Sequence, residues 1–472
     1  MFAALAAGTL FGAAAMAEAQ SESIQPGDAA LRSRLLRRIS YGPLDSEVNQ
    51  AKTLGYDGYL DYQLNYEAID DTASETAAAF YSTINFSVRD LFKVRQDVAK
   101  DDLSEATISR AIYSKRQLYQ RMVEFWTDHF SVFYHKVGVL KVVHDRDVIR
   151  RYALGNFREM LMANTKSPAT LVYLDNEPSS KLAPNQNLAR ELMELHSIGV
   201  DGGYTQDDVI NVAKCLTGWS VRLWPDYATD IGQFIFNKTD HHNGVKIVFG
   251  HTIPQGGWIT DGETVVRLLS NKRSAGRFLG RKLCRFFLGN EPSDALVESL
   301  ADTYIATGGE IKPMVKAVLS HDNVAAAPLM VKRPFHYAMG LLRQSQASMT
   351  YLWPVREALY DLGQHPFEWA PPNGYPASQN YWAPGLLSRW NFAFRLFANE
   401  LDYLSVNRTT LMKSAILLEE CLARINRVFF QNELRPYALD ALRTALVSDT
   451  SALANSKKVA AMAATLPGYQ LC

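Results

Sequence analysis

Apolar residues recur at three- and four-residue spacing along most of the chain, the period of a helix that buries one stripe and exposes the rest. The pattern predicts helices over 28–39, 45–54, 56–64, 103–134, 144–162, 186–198, 206–217, 261–288, 293–306, 310–319, 331–346, 353–361, 384–404 and 408–431. Strand signals are sparse. The clearest is "QFIFNKTDHHNGVKIVFG" (233–250), two short apolar runs around the turn-favouring pair Asn243-Gly244, which predicts a small hairpin. Pro, Gly and aromatic residues cluster in "PFEWAPPNGYPASQNYWAPG" (366–385), read as an ordered aromatic loop rather than a flexible linker. There is no tandem repeat of solenoid period and no low-complexity tract. The expectation is a mainly α protein: a large multi-helix domain over 28–400 carrying the hairpin, and a helical extension over 401–472 packed on it, with residues 453–472 weakly structured.

Two helical segments combine polar and titratable residues. In "NQNLARELMELHSIGVDGGYTQDDV" (185–209), Leu188, Leu192 and Leu195 share one helical face, and His196 falls in that apolar sector. Arg190, Glu191 and Glu194 occupy the opposite flank. The helix is expected to end at Gly199, and Thr205 with Asp208 three residues on forms a capping box for the next one. The segment "RMVEFWTDHFSVFYHK" (121–136) repeats the design. Met122, Trp126, Phe130 and Phe133 make the apolar stripe, His129 falls within it, and Glu124 and Asp128 form an i,i+4 carboxylate pair beside Arg121.

The plain structural account makes each histidine a core residue and each carboxylate pair a solvated face salted with arginine. The functional account stands beside it. Neutral imidazole and carboxylate ligate the same hard or borderline divalent ions. Asp128, His129, Glu191, Glu194 and His196 are therefore the candidate ligands of a divalent metal ion. In an enzyme, Glu191 or Glu194 would serve as base or ligand beside Arg190, in carboxylate-assisted hydrolysis or metal-assisted oxidation. His135, His144 and the loop "DHHNG" (240–244) are lesser candidates. A tight motif that would select one chemistry is missing: the chain has no H-E-x-x-H, no G-x-S-x-G, no Walker loop and no G-x-G-x-x-G after a strand. The aromatic 369–390 stretch offers a third idea, a carbohydrate wall that includes Trp382.

Composition narrows the setting more than the chemistry. Of 472 residues, 47% are hydrophobic and 21% charged, ample for a large core. Lys+Arg and Asp+Glu balance at 49 each, and no basic run stands out, so nucleic acid is not the expected partner. The start, "MFAALAAGTLFGAAAMAEAQ", holds a small-residue apolar run from Phe2 to Met16 followed by Ala17-Glu18-Ala19, the h-region and cleavage site of a signal peptide over 1–19. A positively charged n-region is missing from it. The chain is expected in the periplasm or outside the cell, and no later stretch approaches a membrane span. Cys215, Cys284, Cys421 and Cys472 are scattered without zinc-like spacing, which leaves open buried thiols or one long-range disulfide.

The run "SPATLVYLDNEPSSKLAPNQNLARELMELHSIGVDGGYTQDDV" and the later "LTGW" resemble the hallmark region of the DUF1800 family. "LLRRISYGP" (35–43), "FWTDHFSV" (125–132), "HHNGVKIVFG" (241–250) and "PPNGYP…YWAPGLLSRWNF" (371–392) extend the resemblance over most of the chain. It implies an exported, mostly helical protein, often encoded beside sulfatase-like DUF1501 proteins, and it names no reaction. Gln186 stands where the family pattern has Glu, Asn243 where the loop usually carries an acid, and "PPNGYP" departs from the usual "PPNVxGWP". The alternative to a metal- or ligand-binding centre is then a non-catalytic envelope protein that binds a partner such as its DUF1501 neighbour.

Overall fold

The computed structural model describes residues 27–225, 228–446 and 452–472. The signal-peptide expectation over 1–19 lies outside the described residues. The described residues are mainly helical, with three two-stranded antiparallel ribbons among them. Long amphipathic runs in the sequence are divided at polar joints. The run over 103–134 becomes Gln96–Tyr113 and Gln117–His129. Between them Ser114 Oγ and the Lys115 N–H donate to the buried Asp71 carboxylate, both at 2.7 Å. The Gln117 amide donates to the carbonyls of Ala111 and Ser114, so the break leaves these groups partnered inside the core. The run over 261–288 likewise becomes Ile259–Ser270 and Arg273–Phe287.

A small β element does occupy the 233–250 region, but its pairing differs from the expected hairpin. Phe234–Phe236 pairs with Trp219–Val221, and Lys246–Val248 pairs with His251–Ile253. Asn243-Gly244 is not the turn. Phe249 and Gly250 both take positive φ, which closes the second ribbon with the twist a two-residue turn needs. Asn237 meanwhile turns the chain by accepting from Thr239 and pairing its amide with Asp240. A local turn signal lost to a tertiary partner: the Gly218 carbonyl accepts from Asn237 N–H at 2.7 Å and fastens the first ribbon to the end of the Gln206–Leu216 helix.

Apolar side chains gather in one large core, running from the Asp28–Ile39 helix to residues near 327, and a second formed with the 335–362 and 392–469 segments. Residues 453–472, expected to be weakly structured, are built into the second core. The Ala452–Thr465 helix buries Val459, Ala460, Ala463 and Ala464 against the Leu386–Ala398 helix. Its apolar stripe is mostly alanine, which carries little hydrophobic signal yet lets two backbones approach closely. The chain end then pairs with an inner segment: Met330 and Cys472 exchange backbone hydrogen bonds at 2.9 and 2.8 Å, and the Lys332 N–H donates to the Gln470 carbonyl. Cys215, Cys284, Cys421 and Cys472 are all buried and unbridged.

One irregular element bears on the polar groups of the interior. After Leu140–His144 the helix widens to i→i+5 bonding over Asp145–Arg150. Such π turns recur at functional sites because they redirect side chains. Here the turn lets Arg150 Nε donate to Asp145 Oδ2 at 2.7 Å, while its Nη1 reaches Gln120 Oε1 at 3.2 Å.

Candidate functional site

The expected helix pair is present. Asn185 caps Gln186–Glu194 through the Asn187 N–H, and Thr205 with Asp208 forms the capping box of Gln206–Leu216. The helix stops at Glu194, short of the expected 198, so His196 lies past its end; the Ile198 and Gly199 N–H groups return to the Met193 carbonyl, and Gly199 takes the expected left-handed φ of +80°.

The six candidate residues fall into three environments. Arg190 and Glu194 lie in a surface network: Arg190 Nη1 donates to Glu194 Oε1 at 3.3 Å and Nη2 to Gln206 Oε1 at 2.8 Å, while the Tyr204 hydroxyl donates to the same Glu194 oxygen. Glu191 is half-buried beside them. Burial and then Glu194 push its carboxyl above the usual range, against the pull of Arg190. His129 and His196 sit in an aromatic core instead. Trp126, Phe130 and Phe157 pack around His129, and the two imidazoles have centroids 6.4 Å apart. His129 Nε2 meets the His196 carbonyl at 3.1 Å, but His129 Nδ1 and both ring nitrogens of His196 have no partner. Burial, with the Lys282 ammonium adding to it, drives His129 well below its ordinary pKa and His196 down to about 3. Both rings are neutral near pH 7.

Asp128 faces elsewhere. Arg333 donates to its Oδ2, and burial raises its carboxyl more than that guanidinium lowers it. The structure therefore brings His129 to His196 and Arg190 to Glu194, with Glu191 alongside, but does not gather the set around one point. Among the described residues no group of three or more His, Cys, Asp or Glu is placed to hold a metal ion.

The polar centre the structure does build is a cleft over the Gln117–His129 helix. Glu124 and Asp128, the i,i+4 pair, lie in its wall with Gln120 and Arg150. Glu124 Oε2 accepts from the Tyr41 hydroxyl at 3.0 Å and from Arg121, whereas its Oε1 is buried with no hydrogen-bond partner. An unpaired buried acceptor of this kind costs about 1–3 kcal/mol unless a ligand or water supplies a donor. The opposite wall is aromatic: Phe335, Phe367, Trp369 and Tyr375, the last two with ring centroids 4.8 Å apart. Apolar lining with a few convergent polar groups is the usual make-up of a small-molecule site.

The 364–376 loop forms this second wall because its backbone is pinned to the helix side. The Tyr134 N–H donates to the Phe367 carbonyl at 3.1 Å and Ser131 Oγ to Pro371 O at 3.2 Å, while within the loop the Tyr375 hydroxyl donates to His365 O at 2.7 Å. Gly374, at φ +73°, lies so close against the Asp128 carbonyl that a Cβ there would overlap the oxygen. Glu124 and Asp128 were visible in sequence as a pair, and the aromatic loop as a unit. That they face each other, with Tyr41, Gln120 and Arg150 joining from distant segments, carried no local signal.

Among the described residues no helix is long and apolar enough to cross a membrane. No curated protein and no solved structure matches the chain. One family does: the sequence model described as "Protein of unknown function (DUF1800)" matches residues 34–471. That match takes in both helices of the expected centre and the cleft, and on it the chain belongs to the DUF1800 family.

Proposed function

We propose that this chain is an exported ligand-binding protein whose ligand occupies the cleft between the Gln117–His129 helix and the 364–376 loop, and that the ligand is a carbohydrate. The observation that carries the reading is the pairing, across one cleft, of the Trp369–Tyr375 aromatic wall with a Glu124 oxygen that has no donor. The apolar face of a sugar stacks on aromatic rings, and its hydroxyls donate to carboxylates and amides. Gln120, Gln364 and Thr107 add further polar groups around the same space.

Each carboxylate already holds one oxygen in an ion pair, Glu124 with Arg121 and Asp128 with Arg333. Such pairing fixes acceptors in place, which favours binding over nucleophilic attack. If a reaction accompanies binding, it is hydrolysis with Asp128 as the proton carrier, since burial makes it hold its proton more tightly. Export rests on the apolar run and the Ala17-Glu18-Ala19 site at the start of the chain.

The test is calorimetric titration of the full chain with soluble disaccharides and cell-wall oligosaccharides. At least one is expected to bind saturably, with binding lost in Trp369→Ala and at least tenfold weaker in Glu124→Gln while the circular dichroism spectrum is unchanged. Failure of every glycan to bind the folded protein would overturn the reading, as would wild-type affinity in both variants.

A further inference from the structure

Behind the cleft wall lies a second, smaller cavity that contains no acidic lining residue among those described. Arg121, Arg285, Arg333 and His336 line it, with Gln379 and Trp382. Arg121 and Arg333 separate the two spaces. From the cleft side, Glu124 and Asp128 engage a single nitrogen, Nη1, of each guanidinium. Both guanidiniums are held over the Phe286 ring, at 4.6 and 5.5 Å from its centroid, so their remaining N–H groups are fixed in direction. Arg285, in contrast, is 45% exposed and pairs outward with Glu291.

Two buried groups in this wall lack partners. Arg121, 2% exposed, has an unpaired Nε, and His336, 1% exposed, has an unpaired Nε2. The other side of the His336 ring is held by the Ser40 backbone. A guanidinium fork with free N–H groups matches the oxygens of a tetrahedral oxyanion, and such bonds are about twice as strong as neutral ones. A ring nitrogen with a free lone pair asks instead for a hydrogen. One ligand answers both demands: a phosphate that keeps one proton, its oxygens facing the arginines and its O–H facing His336.

We propose that this arginine-lined cavity binds a monoprotonated phosphate group, free or as a monoester, with Arg121 and Arg333 as fixed donors, Arg285 closing the mouth and His336 Nε2 accepting the phosphate proton. The site is separate from the cleft and does not depend on what the cleft binds. Because sulfate carries no proton near neutral pH, it would set an anionic oxygen against the His336 lone pair, so the cavity discriminates between two ions of nearly equal shape.

The test titrates the full chain at pH 5.5, where a phosphate monoester also keeps a proton, with inorganic phosphate, phenyl phosphate and sulfate, followed by calorimetry and by phosphorus NMR. Phosphate is expected to bind one to one and about tenfold more tightly than sulfate. Arg285→Gln, at an exposed position that leaves the fold intact, should weaken phosphate about tenfold. His336→Gln should erase the preference over sulfate. Tighter binding of phenyl phosphate than of inorganic phosphate supports an ester-borne group, and the reverse order supports the free ion. Absence of saturable phosphate binding by the wild-type protein overturns the proposal, as does unchanged phosphate affinity in Arg285→Gln or an equal response to sulfate.

Discussion

His196 offers a direct test of the buried histidine pair. The ring is 2% exposed, neither nitrogen has a partner, and burial lowers its pKa to about 3. The unfolded chain has an ordinary histidine at about 6.5. A folded pKa below the unfolded one means that protons bind the unfolded state preferentially. The stability is then fully present above pH 6.5 and is lost as pH falls from there toward 3. For a single group this amounts to about 1.4 kcal/mol per pH unit within the window, and about 2 kcal/mol between pH 7.5 and 5.0. His129, His144 and His336 are also driven well below their ordinary pKa by burial and act in the same sense, whereas Asp128, Glu191 and Glu105, raised by burial, act in the opposite one.

The perturbation is His196→Leu, which keeps the volume and removes the titration. Urea unfolding followed by circular dichroism at pH 7.5 and 5.0 should show the wild type losing about 2 kcal/mol more than the variant over that interval. At pH 7.5 the variant should match or exceed the wild type, because two unpaired buried nitrogens are gone. An identical pH dependence in the two proteins, or a His196 ring that titrates near 6.5 in the folded state by NMR, would rule out a buried neutral His196. A neutral-pH loss of stability accompanied by loss of bound metal would assign the His129–His196 pair to a metal ion instead.

Gly374→Ala should push the 364–376 loop off the Asp128 carbonyl, lowering the melting temperature and weakening cleft ligands; unchanged melting would show that the loop docks otherwise. Arg343 donates to the Gly42, Ile112 and Ser114 carbonyls and to Glu47, all in the core. Arg343→Met leaves Glu47 unpaired there and should cost about 3–5 kcal/mol in urea unfolding, much of it recovered in the Glu47→Leu/Arg343→Met double variant. A single-variant cost below about 1 kcal/mol would contradict a buried pair. Removing Gln470, Leu471 and Cys472 should lower the melting temperature and speed amide exchange at Met330 and Lys332, whose N–H groups donate to those residues; exchange equal to wild type would argue against that pairing.

The helical class, the capping box at Thr205 and the left-handed close at Gly199 were legible because each depends on residues within one or two turns of each other. Sequence also put His129 and His196 on apolar faces, where the structure has them. It could not show that Phe157, Phe278 and the Lys282 ammonium approach them from other helices. Period-based reading joined Gln96–Tyr113 to Gln117–His129 because the buried stripe continues through the break. Asp71, which stabilises that break, lies more than forty residues earlier.

The helical class, the capped helix pair over 186–216, the buried faces of the amphipathic runs and the family follow from the sequence alone. Hydrophobic period and short-range hydrogen bonding are properties of neighbours in the chain. Which polar flanks meet depends instead on packing between distant segments. Glu191 and Glu194 read as the equal of Glu124 and Asp128 on a helical projection, yet one pair ends in a surface network and the other in a cleft. The difference comes from what packs around the second pair: a loop whose glycine can touch the Asp128 carbonyl, and two arginines, Arg121 and Arg333, that divide an acidic space from a basic one.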